Sequence, residues 1–138
     1  MDTFELKIIA INKVFYEGQS KQLILPATDG LMGIMAHHED AVIAVNVGEI
    51  HIQTSEDQWI FAISGAGHIQ IADNKVIMIV DTVERPEEID ERRAMEAKER
   101  ALEELRQKQS IYEYYMSKAN LARAMERLKV KKKYTSGL

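Results

Sequence analysis

The first part of the chain alternates apolar and polar residues over short runs. The segment 4–8 reads FELKI, and a period of two places one face of a strand in a core and the other in water. Comparable runs occupy 21–26, 42–45, 48–54, 58–64, 67–72 and 75–82. Turn-forming residues separate them, and no helical segment lies between them. This pattern predicts an antiparallel β-sandwich or barrel.

The pattern becomes helical after Glu84. Pro86 suits the first helical position, where its missing N–H costs nothing, and acidic residues follow it near the positive end of the helix dipole. Small and apolar residues then recur at spacings of three and four, at Ala94, Ala97, Ala101 and Leu105. They predict a first helix, ending near Gln107, with one small-residue stripe on a charged surface.

A second helix is predicted from Ser110 to about Lys129. Ser110 and Glu113 have the spacing of a capping box. Its apolar positions are Tyr115, Met116, Ala119, Ala122, Met125 and Leu128. The short connection favours an antiparallel hairpin. Because alanines bury little apolar area, we expect this hairpin to be marginally stable and able to separate and re-dock.

These elements predict a mixed fold, β then α, with two domains. An antiparallel β-sandwich is expected over residues 1–84 and an antiparallel two-helix hairpin over residues 85–138. Charge divides at nearly the same place. Residues 1–83 carry 4 Lys/Arg against 11 Asp/Glu, whereas residues 84–138 carry 14 against 11. The two domains are therefore expected to face different electrostatic surroundings.

Composition removes several classes of function. The chain has 138 residues, of which 46% are hydrophobic and 29% charged, as expected of a globular protein. It has no cysteine, which excludes disulfides, thiolate nucleophiles and sulfur-ligated zinc. No stretch approaches the roughly 20 apolar residues that span a bilayer, and the start resembles neither a signal nor a transit peptide. Any membrane association is expected to come through partners.

The best candidate for ligand chemistry lies on the two helices. Asp90 and Arg93 share a face of the first helix, and Arg123 and Arg127 share a face of the second. Antiparallel pairing brings the start of one helix near the end of the other, so two or three guanidinium groups could hold phosphate oxygens. Glu84 and Asp90 could accept from an adenine amino group or a ribose. The alternative is a set of interhelical salt bridges, with Asp90 serving the helix start.

Other motifs carry weaker signals. The run 37–40 (HHED) contains metal-ligand residue types, but it lacks a helical zinc motif, and a structural or partner-facing loop is favoured. The glycines at 30, 33, 65 and 67 are not followed by a helix, so they do not form phosphate loops. The lysine-rich run 129–134 lacks an aromatic stacking platform for nucleic acid. No catalytic constellation is present, so we predict that the chain is not an enzyme.

Several segments, in order along the chain, resemble one family. They are TDGLMGI at 28–34 followed by His38, VGEIHI at 47–52, Ala66-Gly67, VDT at 80–82, ERPEEID at 84–90, RAMEAK at 93–98 and LARAMERL at 121–128. Together they cover nearly the whole chain and resemble the epsilon subunit of bacterial and chloroplast F-type ATP synthases.

The resemblance implies a non-catalytic subunit of a rotary, proton-translocating ATP synthase. Its sandwich of about ten strands would bind the gamma subunit of the central stalk and the membrane-embedded c-ring. Its hairpin would extend to the alpha/beta catalytic head and inhibit ATP hydrolysis, with the lysine-rich run as a contact for acidic surfaces there. The complex would lie at the cytoplasmic face of the cell membrane, with the chloroplast thylakoid as the less favoured location.

The resemblance also implies a regulatory ATP site on the folded hairpin, with no cofactor required and no metal ligand. The residues assigned to it are Glu84, Ile89, Asp90, Arg93, Arg123 and Arg127. A purely mechanical coupling subunit without nucleotide binding is the alternative. A third hypothesis is an unrelated sandwich adaptor that binds nucleic acid through its lysines, and it is disfavoured because the protein as a whole is acidic.

Overall fold

A computed structural model of the chain describes residues 2–11, 13–106 and 111–135, and for residues 111–114 it describes the backbone. The chain divides into two compact units, Met1–Glu84 and Arg85–Leu138. The first unit is built of strands and the second of helices. Within the described residues, no helix is long and apolar enough to cross a membrane.

The first unit has nine strands among its described residues. They are β1 (Phe4–Ala10), β2 (Lys13–Ala27), β3 (Gly30–Met35), β4 (Ala41–Val45), β5 (Gly48–Thr54), β6 (Trp59–Ser64), β7 (Gly67–Ala72), β8 (Lys75–Val80) and β9 (Val83–Glu84). Their order across the sheet is β4-β7-β8-β1-β2-β5-β6-β9, with β3 paired to β2. The prediction of strands followed by helices is confirmed.

The sheet folds over one hydrophobic core. Val45 and Ile69, at one end of the strand order, are buried in the same cluster as Ala62 and Val83 at the other end. Residues from the two ends of a sheet can share a core only when those ends pack face to face, as in a sandwich. Strand β2 joins the two layers, since it pairs with β1 up to Ser20 and with β5 beyond it, across a register shift of the kind that bends strands at corners.

Alternation along the strands produces this core. In β1 the first, third, fifth and seventh residues are buried and those between them are more exposed. Strand β8 repeats the pattern, with Val76, Met78 and Val80 buried while Ile77 and Ile79 face outward. The period of two in the sequence therefore predicts which face of these strands is buried.

Three features of the sheet differ from the prediction. Strands β1 and β8 pair in parallel, which is possible because about 65 residues separate them and no hairpin fixes their direction. No strand was predicted between the runs 21–26 and 42–45, but Gly30–Met35 forms strand β3, which pairs with the second half of β2. Strand β2 begins at Lys13, eight residues before the predicted run. The nine strands among the described residues agree with the sandwich of about ten that the resemblance implies.

The second unit has two helices, α1 (Glu91–Arg106) and α2 (Ile111–Thr135). Pro86 begins a short 3-10 turn, Pro86–Glu88, and not α1 itself. Helix α2 continues well past Lys129, so the lysine-rich run 129–134 is helical. Two predictions fall outside what the structure describes. They are the capping box at Ser110 and Glu113 and the end of the first helix near Gln107.

The two helices pack through small side chains. Ala94 and Ala101 are buried on α1, as the sequence predicts. The predicted second helix is confirmed, but its predicted apolar positions do not mark the buried face. Among the described side chains of α2, Ser117, Ala124 and Val130 are buried, while Tyr115, Met116 and Met125 are exposed. A close approach of two helices excludes large side chains, so the smaller side chains of Ser117 and Ala124 face the partner helix.

Candidate functional site

The hairpin unit begins with a compact turn that is tied to the end of α2. The Arg85 amide donates to Glu88 Oε2 at 3.3 Å, and Ile89 is buried. The Pro86 carbonyl accepts from the Ile89 amide at 3.2 Å and from Lys131 Nζ at 3.3 Å. Because Lys131 is near the end of α2 and Pro86 precedes α1, the helices run antiparallel, as predicted.

Asp90 starts helix α1. Its Oδ1 accepts from the Arg93 amide at 3.1 Å, and its carbonyl accepts from the Ala94 amide at 2.9 Å. Its other carboxylate oxygen lies 3.7 Å from Arg93 Nε, and both side chains are largely exposed. Asp90 therefore acts as an N-cap, which was the alternative role that the sequence left open for it.

A groove between α1 and α2 is lined by charged side chains from both helices. It has a volume of about 250 Å³. Its lining residues are Ala97, Arg100, Ala101, Glu104, Asn120, Arg123, Ala124 and Arg127. The alanines leave room between the helices, and among the described residues three arginines and one glutamate line that room. The excess of positive charge and the planar guanidinium donors suit a polyanion such as a phosphate chain.

The structure brings together part of the predicted site. Arg123 and Arg127 line the groove, as the antiparallel pairing predicts. Arg93, Asp90 and Ile89 belong to the same unit but do not line this groove. Glu84 is the last residue of β9 in the sandwich unit, where it pairs with Ile63 of β6.

Sequence reasoning missed Arg100, Glu104 and Asn120. Arg100 lies three residues beyond Ala97, and Glu104 lies four residues beyond Arg100. Ala97, Arg100 and Glu104 therefore share one face of α1. This spacing of three and four residues can be read from the sequence starting at Arg93, so Arg100 could have been predicted as a residue of the site. The position of Asn120 depends on which face of α2 is buried, which the sequence prediction misplaced.

The run 37–40 forms part of a loop held by its neighbours. The His37 amide donates to Asn74 Oδ1 at 2.7 Å, and His37 Nε2 lies 2.9 Å from Asp2 Oδ2. His38 Nδ1 is 2.8 Å from the carbonyl of Glu39. In the described part of the chain, no three histidine or carboxylate side chains are grouped to hold a metal ion. These contacts are those of a structural loop.

Two protein-family models match the chain, one for each unit. Residues 3–86 match the beta-sandwich domain of the ATP synthase delta/epsilon chain. Residues 87–132 match the long alpha-helix domain of the same chain. The chain therefore has, in order, the β-sandwich domain and the α-helical domain of the ATP synthase delta/epsilon chain.

Curated relatives align with this chain over nearly their full length. The ATP synthase epsilon chain of Ruminiclostridium cellulolyticum is 43% identical over 128 residues, which are 93% of this chain and 95% of that one. The epsilon chain of Caldicellulosiruptor bescii is 38% identical over 130 residues, 94% of each. The chain belongs to the epsilon subunit family of F-type ATP synthases.

Solved structures agree with the fold. A chain in the cryo-EM structure of the Euglena gracilis mitochondrial ATP synthase (OSCP, F1 and c-ring) superposes with a TM-score of 0.75 at 17% identity, covering 90% of this chain and 78% of that one. A chain in the Tetrahymena thermophila mitochondrial ATP synthase central stalk and c-ring gives a TM-score of 0.68 at 12% identity, covering 92% and 95%.

Proposed function

We propose that this chain is a non-catalytic subunit of a rotary, proton-translocating ATP synthase that couples the catalytic head to the membrane rotor. The family match over both units supports this proposal. In it, the sandwich binds the gamma subunit and the c-ring, and the hairpin reaches the alpha/beta head when it extends. The complex holds the chain at the cytoplasmic face of the cell membrane.

We further propose that the folded hairpin binds ATP in the groove between its helices. The observation that carries this proposal is the convergence of Arg100, Arg123 and Arg127 on one cavity. Guanidinium groups bind phosphate oxygens through paired, planar hydrogen bonds. Each helix contributes to the lining, so a ligand held there favours the paired helices over separated ones.

ATP binding to the folded hairpin has a regulatory consequence, because it shifts the equilibrium between paired and separated helices. A ligand that binds only the folded hairpin stabilises it by RT ln(1 + [L]/Kd), about 2.7 kcal/mol at one hundred times Kd. The helices bury small side chains such as Ala94, Ala101 and Ala124, each of which contributes little apolar area. High ATP then keeps the hairpin folded, and low ATP releases it to inhibit hydrolysis.

Calorimetry on the purified full chain tests the ATP site. Mg-ATP should bind to the wild-type chain, and Arg123→Ala and Arg127→Ala should each weaken that binding. Arg92→Ala is the matched control, since Arg92 is exposed, pairs with Glu96 at 3.3 Å and does not line the groove. Absence of binding at millimolar ATP would reject the nucleotide site while leaving the stalk role in place.

Reconstitution tests the stalk role separately. The chain should co-purify with the gamma subunit of its own organism, and adding it to an assembly that lacks it should restore coupling between proton flow and ATP synthesis. Failure of both, with a correctly folded chain, would contradict the assignment to the central stalk.

A purely mechanical subunit is the second candidate, and Asp90 favours it. Its carboxylate caps α1 and pairs with Arg93, which is a complete structural role for two residues of the predicted site. In that case Arg123→Ala and Arg127→Ala would change inhibition in the assembled enzyme, while the isolated chain would not bind ATP.

A further inference from the structure

The groove that holds three arginines also holds one carboxylate, that of Glu104. Glu104 lies four residues after Arg100 on α1, so the two side chains share a helix face. Across the groove, α2 contributes Arg123 and Arg127. Among the residues whose side chains are described, Glu104 therefore contributes the one negative charge in the cavity proposed to bind a polyanion.

A hydrogen bond orients this carboxylate. Ser117 Oγ on α2 donates to Glu104 Oε2 at 3.0 Å, and Ser117 itself is buried, with 3% of its surface exposed. The donor is therefore fixed by the packing of the helices. Because the bond joins α1 to α2, the carboxylate remains at the groove while the hairpin is folded.

A carboxylate at this place affects anion binding in a definite direction. It partly neutralises the guanidinium groups while the groove is empty, and it repels phosphate oxygens that enter. We infer that Glu104 is an internal counter-ion that sets the affinity of the groove by opposing the binding of polyphosphate. This inference rests on the proposed nucleotide site, and it adds a residue that tunes the ATP concentration at which that site fills.

The substitution Glu104→Gln removes the charge and so distinguishes a role in anion binding from a role in helix packing. In Glu104→Gln the amide oxygen can still accept from Ser117 Oγ, so the contact between helices is kept while the negative charge is lost. A defect in packing would weaken ligand binding. Loss of a repelling charge strengthens it, so the sign of the change identifies the cause.

Glu103→Gln is the matched control. Glu103 is the neighbouring residue, is exposed, and pairs with Arg106 at 3.6 Å; it does not line the groove. The two substitutions change the net charge of the chain equally. Any difference in anion affinity between the two variants therefore results from the position of the lost charge and not from the change in net charge.

The experiment is calorimetric titration of the full chain, its Glu104→Gln variant and its Glu103→Gln variant with Mg-ATP and with inorganic tripolyphosphate. Glu104→Gln should bind both anions about fivefold more tightly than the control. The difference should shrink as salt is raised, because the groove is open to solvent and ions screen it. Melting curves of the three chains check that each is folded.

Equal binding by the two variants, or weaker binding by Glu104→Gln, would overturn the inference even if wild-type ATP binding is confirmed. Wild-type chain that binds neither anion, combined with a Glu104→Gln variant that binds both, would support the counter-ion role while rejecting ATP sensing by the natural chain. Absence of binding in all three chains would reject both.

Discussion

Gly65 lies where the chain passes from β6 to β7, tightly against the turn between β8 and β9. A Cβ atom there would lie 1.6 Å from Asp81 Oδ1 and 2.8 Å from Thr82 Oγ1. The Gly65 amide also donates to the Thr82 carbonyl at 2.8 Å, so the backbone cannot easily move away. A side chain at this position therefore requires Asp81 to leave its place, in which Oδ1 accepts from the Thr82 amide at 2.7 Å.

We therefore expect Gly65→Ala to lower the free energy of unfolding by about 1–2 kcal/mol, because Asp81 must move aside and lose its hydrogen bond to the Thr82 amide. Urea unfolding of the full chain measures the change. Gly18→Ala is the control, because a Cβ there meets Tyr16 at 3.5 Å, an ordinary contact, and we expect a change within about 0.5 kcal/mol. Equal effects of the two substitutions would contradict this account.

Ser64 and Ser20 are both fully buried in the sandwich but differ in their hydrogen bonding. Ser20 Oγ donates to the Tyr16 hydroxyl at 3.0 Å. Among the described residues, Ser64 Oγ has no hydrogen-bond partner, and a buried polar group without one reduces stability. We expect Ser64→Ala to leave stability unchanged or raise it by about 1 kcal/mol, and Ser20→Ala to lower it by about as much. Thermal melting of both variants measures the difference, and a large loss in Ser64→Ala would contradict it.

At the scale of elements, the base of the hairpin depends on Lys131. Its ammonium group donates to the Pro86 carbonyl at 3.3 Å, next to the buried Val130. A hydrogen bond to a charged group contributes about 1.5–3 kcal/mol, and less where water competes for it. This bond connects the end of α2 to the turn that precedes α1.

We expect Lys131→Met to accelerate hydrogen exchange across α1 and α2 while peptides of the sandwich exchange as in the wild type. Exchange measured by mass spectrometry on the full chain reports each unit separately. Lys129→Met removes the same charge from an exposed position on the same helix and should have little effect. Matching exchange in the two variants would show that the bond to Pro86 does not stabilise the hairpin.

The sequence predicts elements where one physical signal dominates. Alternation identifies β1 and β8, and alanine spacing identifies the buried face of α1. The same kind of signal does not identify the buried face of α2. Large apolar residues such as Met116 and Met125 are exposed there, and the buried face is determined by how closely the two helices approach each other. The sequence also does not predict β3, although this strand pairs with the adjacent end of β2 in a tight hairpin, because Gly30 and Gly33 interrupt the alternation of apolar and polar residues there.

At the scale of the whole molecule, the candidate site likewise contains residues that the sequence predicts and residues that only the structure reveals. Arg123 and Arg127 were predictable, because their spacing and the antiparallel hairpin suffice to place them on one face. Asp90 was assigned to the ligand, although its carboxylate caps α1. The opposing charge of Glu104 depends on Ser117 of the other helix, and only the packed hairpin reveals that contact.

In the assembled enzyme, the two proposed functions give opposite results for one variant. If ATP in the groove keeps the hairpin folded, Arg123→Ala removes up to about 2.7 kcal/mol of that stabilisation at one hundred times Kd. Hydrolysis should then be more strongly inhibited at millimolar ATP than in the wild type. If Arg123 instead serves the contact between the extended hairpin and the catalytic head, the variant should be less inhibited. Hydrolysis rates measured across ATP concentrations, with Arg92→Ala as the control, separate the two, and an unchanged ATP dependence would exclude Arg123 from regulation.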